Sequence, residues 1–121
     1  MPLDDKVDLR EKLASFDEAF QPKIVGYYND NKLQVAKTRG EFVWHSHPET
    51  DDFFLVLEGR LTIDLSDRSI ELGPGELYVV PKGVRHRPRA DDEAQILLIE
   101  PTGTVNTGDA GGELMASEEE I

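Results

Sequence analysis

The stretch Trp44-His45-Ser46-His47-Pro48-Glu49-Thr50-Asp51-Asp52-Phe53-Phe54-Leu55-Val56-Leu57-Glu58-Gly59 places two histidines two residues apart, follows them with acid, and runs on into an apolar segment. A second stretch, Gly75-Glu76-Leu77-Tyr78-Val79-Val80-Pro81-Lys82-Gly83-Val84-Arg85-His86, carries the remaining histidine. All three histidines of the chain therefore fall within these two segments. On a strand, side chains alternate faces with a period of two, so His45 and His47 are expected to point the same way. Imidazoles converging from one strand chelate a divalent ion when neighbouring strands add further donors, and Asp52 and His86 are the candidates. Such a mixed nitrogen and oxygen set suits one divalent transition metal per subunit, Fe, Mn, Ni, Zn or Cu, and donor type alone does not choose among them. A lone histidine on a strand is more often structural or solvated. Three in these relative positions favour a metal site.

The two segments resemble the paired motifs of the cupin superfamily, small single-domain (type-2) members in particular. In the first motif, Gly40, His45, His47, Asp52 and Gly59 occupy the places of glycine, His-x-His, glutamate and glycine. In the second, Gly75, Pro81, Gly83 and His86 occupy the places of glycine, Pro-x-Gly and histidine. The interval between Gly59 and Gly75 holds 15 residues, as in small microbial members, and the likeness spans residues 24–100. There are three departures. Gly40 stands one residue closer to His45 than usual, Asp52 replaces the glutamate ligand with a side chain one methylene shorter, and Ala90 stands where asparagine is usual. The resemblance implies an all-β fold, a single jelly-roll barrel, with the metal held near its centre by His45, His47, Asp52 and His86, the shorter Asp52 leaving binding through water or a three-histidine site as the alternatives. It also implies a homodimer and a small-molecule substrate or ligand, and it leaves the reaction open, since one fold hosts many chemistries.

Outside these segments the pattern agrees with a small β-barrel. Leu9, Leu13, Phe16 and Phe20 recur at helical spacing, with Asp8 and Glu11 placed for a capping box and Pro22 as a stop, which predicts a short N-terminal helix in an extension covering residues 1–23. Strands are expected over 24–28 and 32–37 around the turn Asn29-Asp30-Asn31. Further strands are expected over 53–57, 60–65, 69–72, 76–80, 86–90 and 94–99, separated by glycine, proline and polar turns. The barrel thus covers residues 24–100, and the tail 101–121, rich in Gly and Glu, reads as loosely ordered, with folding back over the barrel or onto a partner subunit as the alternative.

Strand parity assigns Val43, Phe54 and Val56 to the ligand face as an apolar wall, and turns Phe42 and Trp44 away from it. Arg85, Arg87 and Arg89 alternate with His86 and are expected to pair with acidic residues on adjacent strands or across subunits. Tyr78 and Glu49 are the candidate catalytic side chains, a phenol able to donate a proton and a carboxylate near the barrel mouth; a packed tyrosine and a solvated glutamate are the plainer readings.

Composition bounds the function classes. The 121 residues suit one domain, and the absence of cysteine leaves neither disulfides nor thiolate ligands. A formal charge of -12 disfavours nucleic acid and anionic membranes as partners. No apolar run approaches the ~20 residues that span a bilayer, and the acidic start lacks a signal-peptide pattern, so a cytoplasmic location is expected. With an apolar pocket and no arginine on the ligand face, dioxygenase or related redox chemistry on a small organic substrate leads. A sugar-phosphate isomerase or a noncatalytic ligand-binding barrel are the alternatives.

Overall fold

Alternation of apolar and polar residues dictates a two-faced sheet, and the structure, a computed structural model, is built that way over the residues it describes, 5–121. The first four residues of the N-terminal extension lie outside them. One helix, α1 (Leu9–Ala14), precedes seven strands: β1 (Lys23–Tyr28), β2 (Asn31–Glu41), β3 (Asp52–Glu58), β4 (Leu61–Leu65), β5 (Ser69–Leu72), β6 (Leu77–Val80) and β7 (His86–Pro101). All pairings between these strands are antiparallel, in the order β1-β2-β7-β3-β6, with β4 joining β7 to β5. The fold is the antiparallel jelly-roll barrel with one short helix that the sequence predicts. No helix among the described residues is long and apolar enough to cross a membrane.

Strand β7 is the spine. The sequence predicts two strands here, 86–90 and 94–99, whereas a single strand of 16 residues runs through Asp91 and Asp92. No glycine or proline interrupts residues 91–93, and β2 continues alongside, the register shift setting Asp91, Asp92 and Glu93 of β7 opposite the single residue Arg39 as a bulge. The beginning of β7 pairs with β4 (His86 with Leu65, Arg89 with Thr62), and its later part lies between β2 and β3. One strand thus pairs with β2, β3 and β4 and ties the barrel together.

Parity decides which side chains fill the interior. Ala94, Ile96 and Leu98 of β7 meet Ala36, Phe54, Val56, Leu61, Ile63, Leu72 and Val80 in the main core. The opposite face of β2, β3 and β7 turns outwards, where Val35, Leu57 and Leu97 are covered by Leu9, Leu13 and Phe16. The helix is therefore a lid on the outer face of the sheet. Gly59 shows how tightly the chain turns: at φ +82 a Cβ there would overlap the Glu93 carbonyl oxygen.

The helix is shorter than its stripe suggests. Asp8 caps it, accepting from the N–H groups of Arg10 and Glu11 at 3.0 and 3.2 Å. Ser15 then closes it, its hydroxyl donating to the Lys12 carbonyl at 2.6 Å, seven residues before Pro22. Phe16 still packs with Leu13, but Phe20 does not continue the stripe. Ala19 bridges Lys37 on β2, and Phe20, at φ +62, turns its ring into the barrel.

The tail differs from the leading expectation of a loose segment and instead folds back over the barrel. Lys23 pairs with Glu119 and Lys32 with Glu118, both at 2.7 Å, while the Ile24 N–H donates to the Glu119 carbonyl and the Ile121 N–H to the Ile24 carbonyl across the same seam. Thr107 is fully buried.

Candidate metal centre

Nitrogen and oxygen donors from the two motifs meet at one end of the barrel. His86 opens β7, Asp52 opens β3, and His45 and His47 lie between β2 and β3. One donor atom from each of the four lies within 4.8 Å of every other, and all four residues are buried. The structure thus brings together the donors named from the sequence, Asp52 included.

The local path of His45 and His47 differs from expectation. Residues 42–51 belong to no strand, and His45 makes only an isolated bridge to His86, the two exchanging main-chain bonds of 3.0 and 2.9 Å. Gly83 N–H donates to the His47 carbonyl, and Asp109 accepts from both the N–H and the hydroxyl of Ser46 at 2.8 and 3.0 Å. Because the segment leaves the sheet, strand parity lapses for its neighbours. Phe42, expected to face away, is buried in the cavity with its ring stacked on Phe20 (5.1 Å) and edge-on to His45 (5.4 Å). Val43 contributes its carbonyl rather than an apolar wall, and Val56 sits in the main core. Trp44 does face outwards, under the Arg87 guanidinium at 5.3 Å.

Ring orientation is set from behind. His45 Nδ1 lies 2.9 Å from the Val43 carbonyl and His86 Nδ1 lies 3.0 Å from the Val84 carbonyl. A carbonyl only accepts, so each Nδ1 carries the proton and each Nε2 is left for the cluster. That is the arrangement in which histidine binds metals, its outer N–H held by a carbonyl. Yet His86 Nε2 faces Asp52 Oδ2 at 2.9 Å, and His47 Nε2 faces the same oxygen at 3.2 Å. A lone pair pointing at a carboxylate needs a positive centre between them, either a second ring proton or a metal cation. The four residues fit the metal on that ground.

Burial sets the charges. It pushes His45 down to about 4, keeping the imidazole neutral. At His47 burial pulls the same way, but the hydrogen bond and charge of Asp52 outweigh it and the pKa rises. Burial alone raises the Asp52 carboxyl; the bonds from His47 and His86 overcome it and hold Asp52 below its usual range.

Beside the donors opens a cavity of about 460 Å³, its solvent-open mouth included. Phe20, Phe42, Phe54, Ile96 and Leu98 form apolar walls, with His45, His47, Asp52, Thr38, Asn106 and Glu100 as polar groups. Among the described lining residues there is no lysine or arginine. Arg87 and Arg89 point away, as their alternation predicts, and pair with Asp64 of β4 at 2.9 and 2.8 Å; Arg85 is exposed. Neither candidate catalytic residue lines the cavity: Tyr78 is half-buried against the main core, and Glu49 is exposed in a turn.

Glu100 was missed by the sequence reading, which ended the last strand at Ile99. A signal existed: Glu100 stands at the next inward position after Ala94, Ile96 and Leu98, where a carboxylate is out of place. Asn106, which ties Phe20 to the C-terminal segment through its side-chain amide, had no such signal.

Comparison with known proteins places this geometry. Over 84 residues the chain is 36% identical to the uncharacterized protein YdbB of Bacillus subtilis (strain 168), a match covering 69% of this chain and 68% of that one. Its structure is similar to that of a cupin-2 domain containing protein from Shewanella frigidimarina NCIMB 400, with 42% identity, a TM-score of 0.78, and coverage of 78% of this chain and 93% of the other. In fold alone it is also similar to hydroquinone 1,2-dioxygenase from Sphingomonas sp. TTNP3 with 4-hydroxybenzoate bound, at 20% identity and a TM-score of 0.65, covering 78% of this chain and 74% of that one. Residues 32–100 match the cupin domain model, more than half the chain, and the protein belongs to the cupin-domain family.

Proposed function

We propose that the protein is a small metal-dependent enzyme of dioxygenase or related redox type acting on a small organic molecule. His45, His47, Asp52 and His86 hold one divalent transition metal, and the cavity beside them takes the substrate. The observation that carries this reading is the pairing of a buried, mixed donor set with a cavity walled by three phenylalanines and lacking a lining cation among the described residues. When bound, iron or manganese supplies Lewis acidity and the redox capacity that oxygenation requires. Six-coordinate ions hold positions beyond four protein donors. The chain's own residues do the rest: Phe20, Phe42 and Phe54 seat a flat molecule and keep water from it, and burial keeps His45 neutral as a donor. The hydroquinone dioxygenase that shares the fold supports the redox direction by analogy. A phosphorylated sugar would need cations that the lining lacks.

One observation favours a second reading. Four protein donors complete a tetrahedral shell, so a four-coordinate ion such as zinc would be closed to substrate and the barrel would bind a ligand without transforming it. The family resemblance further suggests a homodimer, and Leu77 and Val79 on edge strand β6, 55% and 40% exposed, offer an apolar strip for pairing.

The test is elemental analysis of protein purified without chelator or affinity-column metal, followed by oxygen uptake over a panel of phenols and hydroquinones. Iron or manganese near one per chain with substrate-dependent uptake is expected. Zinc with no uptake would replace the redox reading by the second one.

A further inference from the structure

Glu100 lines the cavity yet takes no part in the donor set. It ends the inward row Ala94, Ile96, Leu98, Glu100 of β7 and is 5% exposed, next to the walls formed by Phe54 and Leu98. Lys32 Nζ lies 3.6 Å from its Oε1, longer than a hydrogen bond. That ammonium donates at 2.7 Å to Glu118 and at 2.9 Å to the Thr104 carbonyl. Burial, and then the Asp52 charge, push the Glu100 carboxyl up to about 7. Glu100 thus has an ion-pair neighbour but accepts no hydrogen bond from a side chain among the described residues; a buried carboxyl without a donor costs free energy, and the open side of Glu100 is the cavity.

We infer that Glu100 is the specificity-determining residue of this cavity, accepting a hydrogen bond from a hydroxyl or amino group of a neutral substrate. This rests on the reading of the cavity as a substrate site. The Glu100 carboxylate would repel a substrate carboxylate or phosphate set against it, and no lysine or arginine among the described lining residues offsets that repulsion. The class selected is a small, flat, neutral molecule with at least one donor group. Apolar fit alone discriminates weakly, whereas a buried acceptor rejects a look-alike that has nothing to donate.

The probes are hydroquinone and 1,4-difluorobenzene, close in shape but differing in donors, titrated calorimetrically into metal-loaded protein under nitrogen so that binding is read without turnover. Wild type should prefer hydroquinone by about 10–100-fold. The preference should vanish in Glu100→Met and fall at least about threefold in Glu100→Gln, the near-isosteric variant that keeps one neutral acceptor. A wild type with no preference, or an unchanged preference in the folded variants, overturns the inference; if Glu100→Met does not fold, Glu100→Gln alone decides. Oxygen uptake plays no part in this readout, so a redox reading that fails leaves the comparison of probes standing.

Discussion

His86 opens a strand of 16 residues and is flanked by main-chain pairing to Leu65 on one side and His45 on the other, whereas His45 and His47 sit in a segment that belongs to no strand. The second half of the site is held by contacts from far along the chain: the Asp109 carboxylate on Ser46, the Asp109 N–H on the Ser46 carbonyl, and Gly108 against His45. A ligand on a paired strand inherits its position from the sheet. A ligand in a loop needs its backbone groups satisfied elsewhere, and here the C-terminal segment does that. Damage to the tail should therefore be felt at His45 and His47, and damage to the outer side of β7 should leave metal binding unchanged.

The largest effect is expected from Gly108→Ala. A Cβ there would overlap the Ser46 carbonyl oxygen and crowd the His45 ring, with the backbone already at φ +56. Denaturant unfolding should show a loss of about 1–3 kcal/mol, typical of overpacking, together with weaker metal binding. An unchanged midpoint would mean that the tail yields freely and is no anchor.

Asp109→Ala tests the same dependence with less disturbance. Removing the acceptor of two Ser46 bonds should weaken metal affinity about tenfold, as loss of an outer partner does, while leaving the barrel's circular dichroism in place. Competition with a calibrated chelator reads this directly. Equal affinities in the two proteins would remove Asp109 from the account.

The smallest effect belongs to the other half. Asp64→Asn removes the charge that Arg87 and Arg89 share on the outward face of β7, leaving one neutral acceptor, and should cost about 1 kcal/mol with metal affinity unaltered. The bond from Arg89 first, then those from Ser69 and Arg87, hold the Asp64 carboxyl down at about 2. A depressed folded pKa adds stability above the unfolded value, ~4, and that stability is lost as pH falls from there towards 2. Acid titration of Asp64→Asn should therefore run closer to level through this window than that of the wild type. Parallel curves would show the network to be idle.

The same contrast explains what was legible in the sequence. Strands with local alternation and glycine or proline punctuation are readable from their own residues, and so is the convergence of His45, His47, Asp52 and His86, because their spacing is local within each motif. Phe42 was misassigned because a parity argument was carried past the end of β2 into a segment that is not a strand. Phe20 was assigned to the helix because its stripe spacing was right; its turn into the barrel depends on Ala19 bridging Lys37, which no local pattern announces. The tail's glycines and glutamates suggested disorder by composition, yet Lys12, Lys23 and Lys32 lie where the folded barrel presents them to it. Contacts between residues 63 to 109 positions apart are what composition cannot see.

The central claim is that the two halves form one site. Its most direct test is the metal content of the wild type beside His86→Ala and His47→Ala, each reconstituted with iron or manganese and desalted. The account predicts about one ion per chain in the wild type and near none in either variant, since each substitution removes a donor that converges with Asp52. One ion per chain retained in both variants would contradict it.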